Sequence, residues 1–284
     1  MGNQQNSKPK RTGVDESESS PRWPKRGWLG LILVAVCWTL NWGLPGLRTH
    51  WAFFPLWVGY CLTVDALVFV RKGSSIYSRS PKGWVLLFLF SVPGWWLFEL
   101  LNARTGNWAY AGADHFSDRQ YYALTSLNFS TVMPAVLGTA EMVGSFGWVR
   151  RLPRWVRIRP TGRTTRIFFG LGCTMMALLL LRPNYFFPFL WLSVYFLLEP
   201  LNVWSGNDSL LDSTRGGDWR PVVSLALGCL ICGIFWEMWN YYSYPKWTYS
   251  VPFVSFWPIF EMPLLGYGGY IGFSFELYAL YHLL

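Results

Sequence analysis

Phe235-Trp236-Glu237-Met238-Trp239-Asn240 closes an apolar run near the C-terminal end of the chain. The aromatic segment from Lys246 to Glu261 follows it, with Trp247, Tyr249, Trp257 and Pro258 on the way. A Glu and an Asn three residues apart lie on one face of a helix. The same pattern occurs earlier as Leu97-Phe98-Glu99-Leu100-Leu101-Asn102, followed by Trp108, Tyr110 and then Glu141. Other blocks align in the same order. Trp51-Ala-Phe-Phe-Pro-Leu-Trp57 matches Tyr185-Phe-Phe-Pro-Phe-Leu-Trp191, Asp65 then stands opposite Glu199, and Glu141-Met142 stands opposite Glu261-Met262. Matching blocks in a constant order mark an internal duplication.

Composition says where such a unit resides. Of 284 residues, 52% are hydrophobic, only 14% are charged and 19% are aromatic. A soluble domain carries about 25% charged residues. Several separate apolar runs then point to a polytopic membrane protein in a cell membrane. The net charge of +9 comes largely from Arg and Lys clusters between those runs. Such clusters report topology, and no nucleic-acid partner is expected. The cysteines all lie inside apolar runs, and only His50, His115 and His282 represent histidine. That excludes a histidine-rich metal centre, and neither a metal site nor a cofactor is expected.

Residues 1–27 form a polar tail, expected to be disordered. Eight apolar runs follow, at about 28–46, 51–70, 84–102, 127–148, 167–182, 185–203, 221–241 and 251–267. Residues 268–284 either continue the eighth run or form a short helix of their own. The expected fold is all-α, a transmembrane bundle of about eight helices in two parallel four-helix repeats. Repeat one covers 28–149 and repeat two covers 167–284, joined by the basic linker 150–166. Strands are not expected, because the runs lack a period of two. Basic residues gather in the tail, in the loop after run two and in the loop after run four. These alternate loops place the N-terminus in the cytoplasm and the two Glu-x-x-Asn ends near the outer surface.

Ionisable groups inside a membrane are costly and face a bundle interior or a cavity. Glu237, Glu261, Glu99 and Glu141 are the candidate catalytic acids, with Glu261 and Glu141 read as the deeper pair. Asn240 and Asn102 are candidates to orient the carboxyls. A carboxylic acid in an apolar cavity is a usable general acid. Glu–Asn pairs also serve as hydrogen-bonded joints between helices, and recurrence alone does not separate these roles. Asp65 and Glu276, near helix ends, read as structural. Trp236, Trp239, Trp247, Tyr249, Trp257, Trp95, Trp96, Trp108 and Tyr110 cluster around the acids. Aromatic faces stabilise cations, so these residues are candidates to line a substrate tunnel. An interfacial aromatic belt accounts for most of Trp108, Tyr110, Trp247 and Tyr249.

The order Trp247-x-Tyr249 and then Pro258-Ile-Phe-Glu261, within a small duplicated membrane unit, resembles the lycopene cyclase domain of the small membrane carotenoid cyclases. In that family Glu261 takes the place of the second acid of a Pro-x-acid-acid motif, and Phe260 stands where the first belongs. The first copy keeps Trp108-x-Tyr110 but not the acidic motif, and the family unit has about three helices rather than four. The resemblance implies acid-catalysed cyclisation of an isoprenoid or other long apolar lipid, with no redox change. A proton-coupled or small-molecule transporter and a non-catalytic membrane scaffold are the alternatives. Oligomeric state is not readable from the sequence.

Overall fold

The computed structural model describes residues 21–284. The expected polar tail lies outside the described residues as far as residue 20. Its last positions, from Lys25 on, belong to the first helix. Helix α1 (Lys25–Gly43) packs against α2 (Phe53–Lys72). At Gly30 and Gly59 the two backbones meet, and a Cβ on either would sit 2.7 and 2.8 Å from the other's carbonyl oxygen. Glycine at both positions permits this approach because it carries no Cβ.

A one-turn helix α3 (Ile76–Arg79) leads into α4 (Pro81–Thr105). The Ser80 hydroxyl accepts the Gly83 N–H, Pro81 occupies the first turn, and Gly106 closes the helix in the left-handed region at φ 63°. Strand β1 (Trp108–Ala111), α5 (Asp118–Phe129), α6 (Val132–Gly144) and α7 (Gly147–Arg150) complete the first half. The second half contains α8 (Gly162–Leu181), α9 (Pro183–Phe186), α10 (Ser193–Ser205), α11 (Leu210–Arg215) and α12 (Arg220–Tyr241). After it come β2 (Lys246–Tyr249), β3 (Pro258–Ile259), β4 (Met262–Pro263) and α13 (Gly269–Leu283).

The chain is predominantly helical, as its composition predicts. Among the described residues, four segments are long and apolar enough to cross a membrane: Gly46–Lys72, α4, α8 and α12. Pro183–Trp191 with Ser193–Ser205, bent by 41°, forms a fifth if read as one broken span.

Three expectations are overturned. The run 127–148 is not one helix, because Ser130 and Thr131 turn their hydroxyls back onto the Leu127 and Asn128 carbonyls and break it between α5 and α6. The run 251–267 is not a helix either. Pro252, Pro258 and Pro263 deprive it of N–H donors, and it folds into turns around the β3–β4 pair. Residues 269–283 form the separate helix instead. Strands do occur: β1 pairs with β2 and joins the two halves.

One end of the helices is basic and tightly bound. Arg26 reaches Asp65 at 2.8 Å, Lys72 and Arg79 both reach Glu141 at 2.7 Å, and Arg71 donates to Ser145. The linker is not a free tether. Its Trp155 and Ile158 N–H groups donate to the Gly217 and Thr214 carbonyls, docking it on the α11–α12 turn.

Candidate functional site

The opposite end of the helices holds the β1–β2 pair. Trp108 stands opposite Tyr249 and Tyr110 opposite Trp247, antiparallel. Alternate side chains of a strand share a face, so all four aromatics point the same way. Each strand is held by the Asn of its preceding helix. Asn102 Nδ2 donates to the Trp108 carbonyl at 2.8 Å, and its Oδ1 accepts the Asn107 and Trp108 N–H groups. Asn240 Nδ2 donates to the Trp247 carbonyl at 2.8 Å, and its Oδ1 accepts the Trp247 N–H. The expectation that Asn102 and Asn240 orient carboxyls is therefore corrected. They clamp backbone, since a buried strand end without partners leaves costly orphan groups.

The aromatics face the two acids. Glu99 Oε1 accepts Tyr110 Oη at 2.5 Å, Trp95 Nε1 at 2.9 Å and Trp108 Nε1 at 3.0 Å. Glu237 Oε1 accepts Tyr249 Oη and Tyr270 Oη, each at 2.7 Å, and Trp247 Nε1 at 3.4 Å. Trp108, Tyr110, Trp247 and Tyr249 thus each donate to a carboxyl. Glu237 is 0% exposed, and its Oε2 has no partner among the described residues. Burial, and then the adjacent Glu99 and Glu237 carboxyls, push the Tyr110 and Tyr249 phenols well above the ordinary tyrosine range.

The third donor differs between the halves. Four residues before Glu99 stands Trp95, which reaches forward along its own helix. Four residues before Glu237 stands Gly233. A Cβ there would lie 2.4 Å from the ring of Tyr270. Loss of the side chain at 233 makes room for a phenol from α13, and that phenol replaces the indole.

Between the two carboxyl cages lies a cavity of about 550 Å³, within the range of small-molecule sites. Its wall includes Trp95, Trp108, Tyr110, Trp247, Tyr249 and Tyr270. Trp236 and Asn240 also reach it, as do Trp191 and Phe273, and the lining is dominated by aromatic and aliphatic side chains. The carboxyls themselves stand behind the wall. The tyrosines separate acid from cavity.

Other candidates lie elsewhere. Trp96 donates to Ser126 between α4 and α5, and Trp239 is buried against Trp57 and Trp38; neither lines the cavity. Trp257 is 74% exposed on the 251–260 loop. Glu141 sits at the basic end, held by Lys72 and Arg79. Glu261 sits at the cavity end on the β3–β4 turn, bonded to Lys246. Glu261 and Glu141 are therefore not a matched deep pair. The prolines that unravel 251–267 leave Glu261 on a half-exposed turn. Asp65, Glu199 and Glu276 are caps: they accept the Tyr77, Leu211 and Val194 N–H groups at the starts of α3, α11 and α10.

Tyr270, Trp191 and Phe273 were missed by sequence reasoning. A signal for Tyr270 existed in the Trp95-to-Gly233 difference between matched positions, but its meaning required knowing that α13 crosses α12 there. Comparison with known proteins returns nothing: no family model, no curated protein and no solved structure matches this chain.

Proposed function

We propose that this chain is a polytopic membrane protein of two parallel four-helix units, acting as an intramembrane enzyme on an isoprenoid or other long apolar lipid. Unit one comprises α1, α2, α4 and α6. Unit two comprises α8, α10, α12 and α13. The N-terminus and the basic end face the cytoplasm, following the distribution of Arg and Lys. Matched joints support the duplication. Asp65 and Glu199 each cap a helix twelve residues further on, and the strand pair is self-complementary, as a two-fold axis requires.

The observation that carries the function is the placement of both acids behind tyrosine hydroxyls on one aromatic cavity. The reaction class is acid-catalysed cyclisation or isomerisation, as in the lycopene cyclase domain that the sequence resembles. One carbon of a bound alkene takes a proton, the cation rearranges, and a second carbon returns a proton. Electrons and atoms balance without a redox partner. Glu237 with Tyr249 and Tyr270 supplies and recovers the proton, Glu99 with Tyr110 faces it, and the indole and phenyl walls stabilise the positive charge.

A transporter would call for a polar path, and a scaffold for no cavity. The apolar lining favours the enzyme over both. Mass spectrometry of lipids from membranes with the intact gene, an empty vector, or the Glu237→Gln and Glu99→Gln variants tests it. A product peak present with the intact gene and lost in Glu237→Gln is expected. Product formation that survives both substitutions would overturn the assignment.

A further inference from the structure

The loop between β2 and β4 is built unlike a water-facing loop. From Trp247 to Phe260 it carries no charged residue. Phe253 is 72% exposed, and Phe256, Trp257 and Ile259 are exposed beside it. Phe253, Trp257 and Phe260 all take positive φ, at 64°, 50° and 57°. Bulky side chains seldom adopt that region; Phe253 and Trp257 turn their rings outward, while Phe260 packs on Tyr241.

The surroundings identify what the rings meet. Phe253 stacks on Tyr185, with ring centroids 5.8 Å apart. Tyr185 follows α8, one of the helices long and apolar enough to cross a membrane, whose Ile167, Leu171, Leu180 and Leu181 are exposed. Tyr185 thus joins the loop to the end of α8 at which Leu180 and Leu181 are exposed. At this level the polar residues begin: Arg182 ends α8, and Arg104 donates to the Leu180 carbonyl. Aromatics together with arginine at the end of an apolar span mark the interface of a bilayer. The same rim is the cavity's edge. Val251 and Val254 from the loop, with Phe187 and Pro188 after α9, line the cavity, and Pro188 and Leu265 are both wall and surface.

We propose that the 251–260 loop and the α8–α9 corner form a lateral portal seated in the bilayer interface, through which the cavity takes the chain of a membrane lipid. The partner is the lipid layer itself, and the ligand enters from it, not from water. This rests on the membrane reading given under the proposed function, but not on the acid chemistry.

The test uses the full-length protein in vesicles of phosphatidylcholine that carries a diazirine at the end of one acyl chain. Photolysis and peptide mass spectrometry then locate the adducts. Adducts are expected on α8 at Ile167 and Leu171, on loop residues 251–260, and on the cavity wall at Tyr270 and Phe273. Phe253→Asp with Trp257→Asp should lower the cavity adducts several-fold and leave those on α8 unchanged. Labelling of α8 with an unlabelled loop or an unlabelled cavity would overturn the portal, as would absence of label everywhere. An unchanged lipid profile in cells alongside labelled loop and cavity would instead remove the proposed chemistry and keep the portal.

Discussion

Glu99 and Glu237 each take three hydrogen bonds on a single oxygen, yet the cages are closed by different means. In the first half the third donor is Trp95, one turn back on the same helix. In the second half that position is Gly233, and Tyr270 arrives from α13. An indole N–H only donates, whereas a phenol both donates and accepts. The first cage therefore contains one hydroxyl, that of Tyr110, and the second contains two, those of Tyr249 and Tyr270. A large residue at 95 against glycine at 233 makes two otherwise matching joints chemically unequal.

That inequality can be broken most forcefully at the acids. Glu237→Gln is expected to lower product formation by about 10²–10⁴-fold, the usual worth of a general acid or base, and Glu99→Gln by distinctly less. Equal losses in the lipid assay would show that the halves act alike. Stability offers the next contrast. Trp95→Ala should cost less than the roughly 3–5 kcal/mol of a fully buried aromatic, because Trp95 is partly buried and lines the cavity. Gly233→Ala should cost about 1–3 kcal/mol through overpacking against Tyr270. Chemical denaturation of the detergent-solubilised protein measures both, and a neutral Gly233→Ala would deny the close approach on which the second cage depends.

The Asn clamps should differ little, Asn102 making three backbone hydrogen bonds and Asn240 two. Asn102→Ala and Asn240→Ala each orphan buried strand groups, and each should cost about 1–3 kcal/mol. A twofold disagreement in their denaturation midpoints' free energies would mean that one strand is held in another way. The smallest expected effect is on pH dependence. Tyr110 and Tyr249 hold their protons more tightly when folded than when unfolded. Their contribution is thus full below the free phenol value of about pH 10 and is lost as pH rises through the higher folded values. Thermal melts above that pH should fall with a slope that Tyr110→Phe and Tyr249→Phe each reduce. A slope unmoved by both substitutions would place the alkaline transition elsewhere.

Much of this site was written in the order of residues. Glu99 with Trp108 and Tyr110, and Glu237 with Trp247 and Tyr249, were grouped correctly because local spacing brings them together. Trp-x-Tyr alternates with a period of two, but each strand spans only four residues, too few for periodicity to separate it from a loop. Asp65 and Glu276 read as structural, and they are caps. Glu261 departs from its expected depth because the apolar segment 251–267 contains three prolines and is not a helix. Glu141 departs with it and lies at the basic end.

By itself the sequence determined the helical, apolar character of the chain, the repeated blocks and the residues that form each acid's local cage. Those follow from composition and from contacts within about a dozen positions. Only the tertiary structure decided that the two Trp-x-Tyr strands pair with each other, that Asn102 and Asn240 serve backbone, that Tyr270 completes the Glu237 cage, and that the cages share one cavity. These are contacts between elements far apart in the chain. No local propensity encodes them, because they arise from how helices with apolar faces on several sides choose their neighbours.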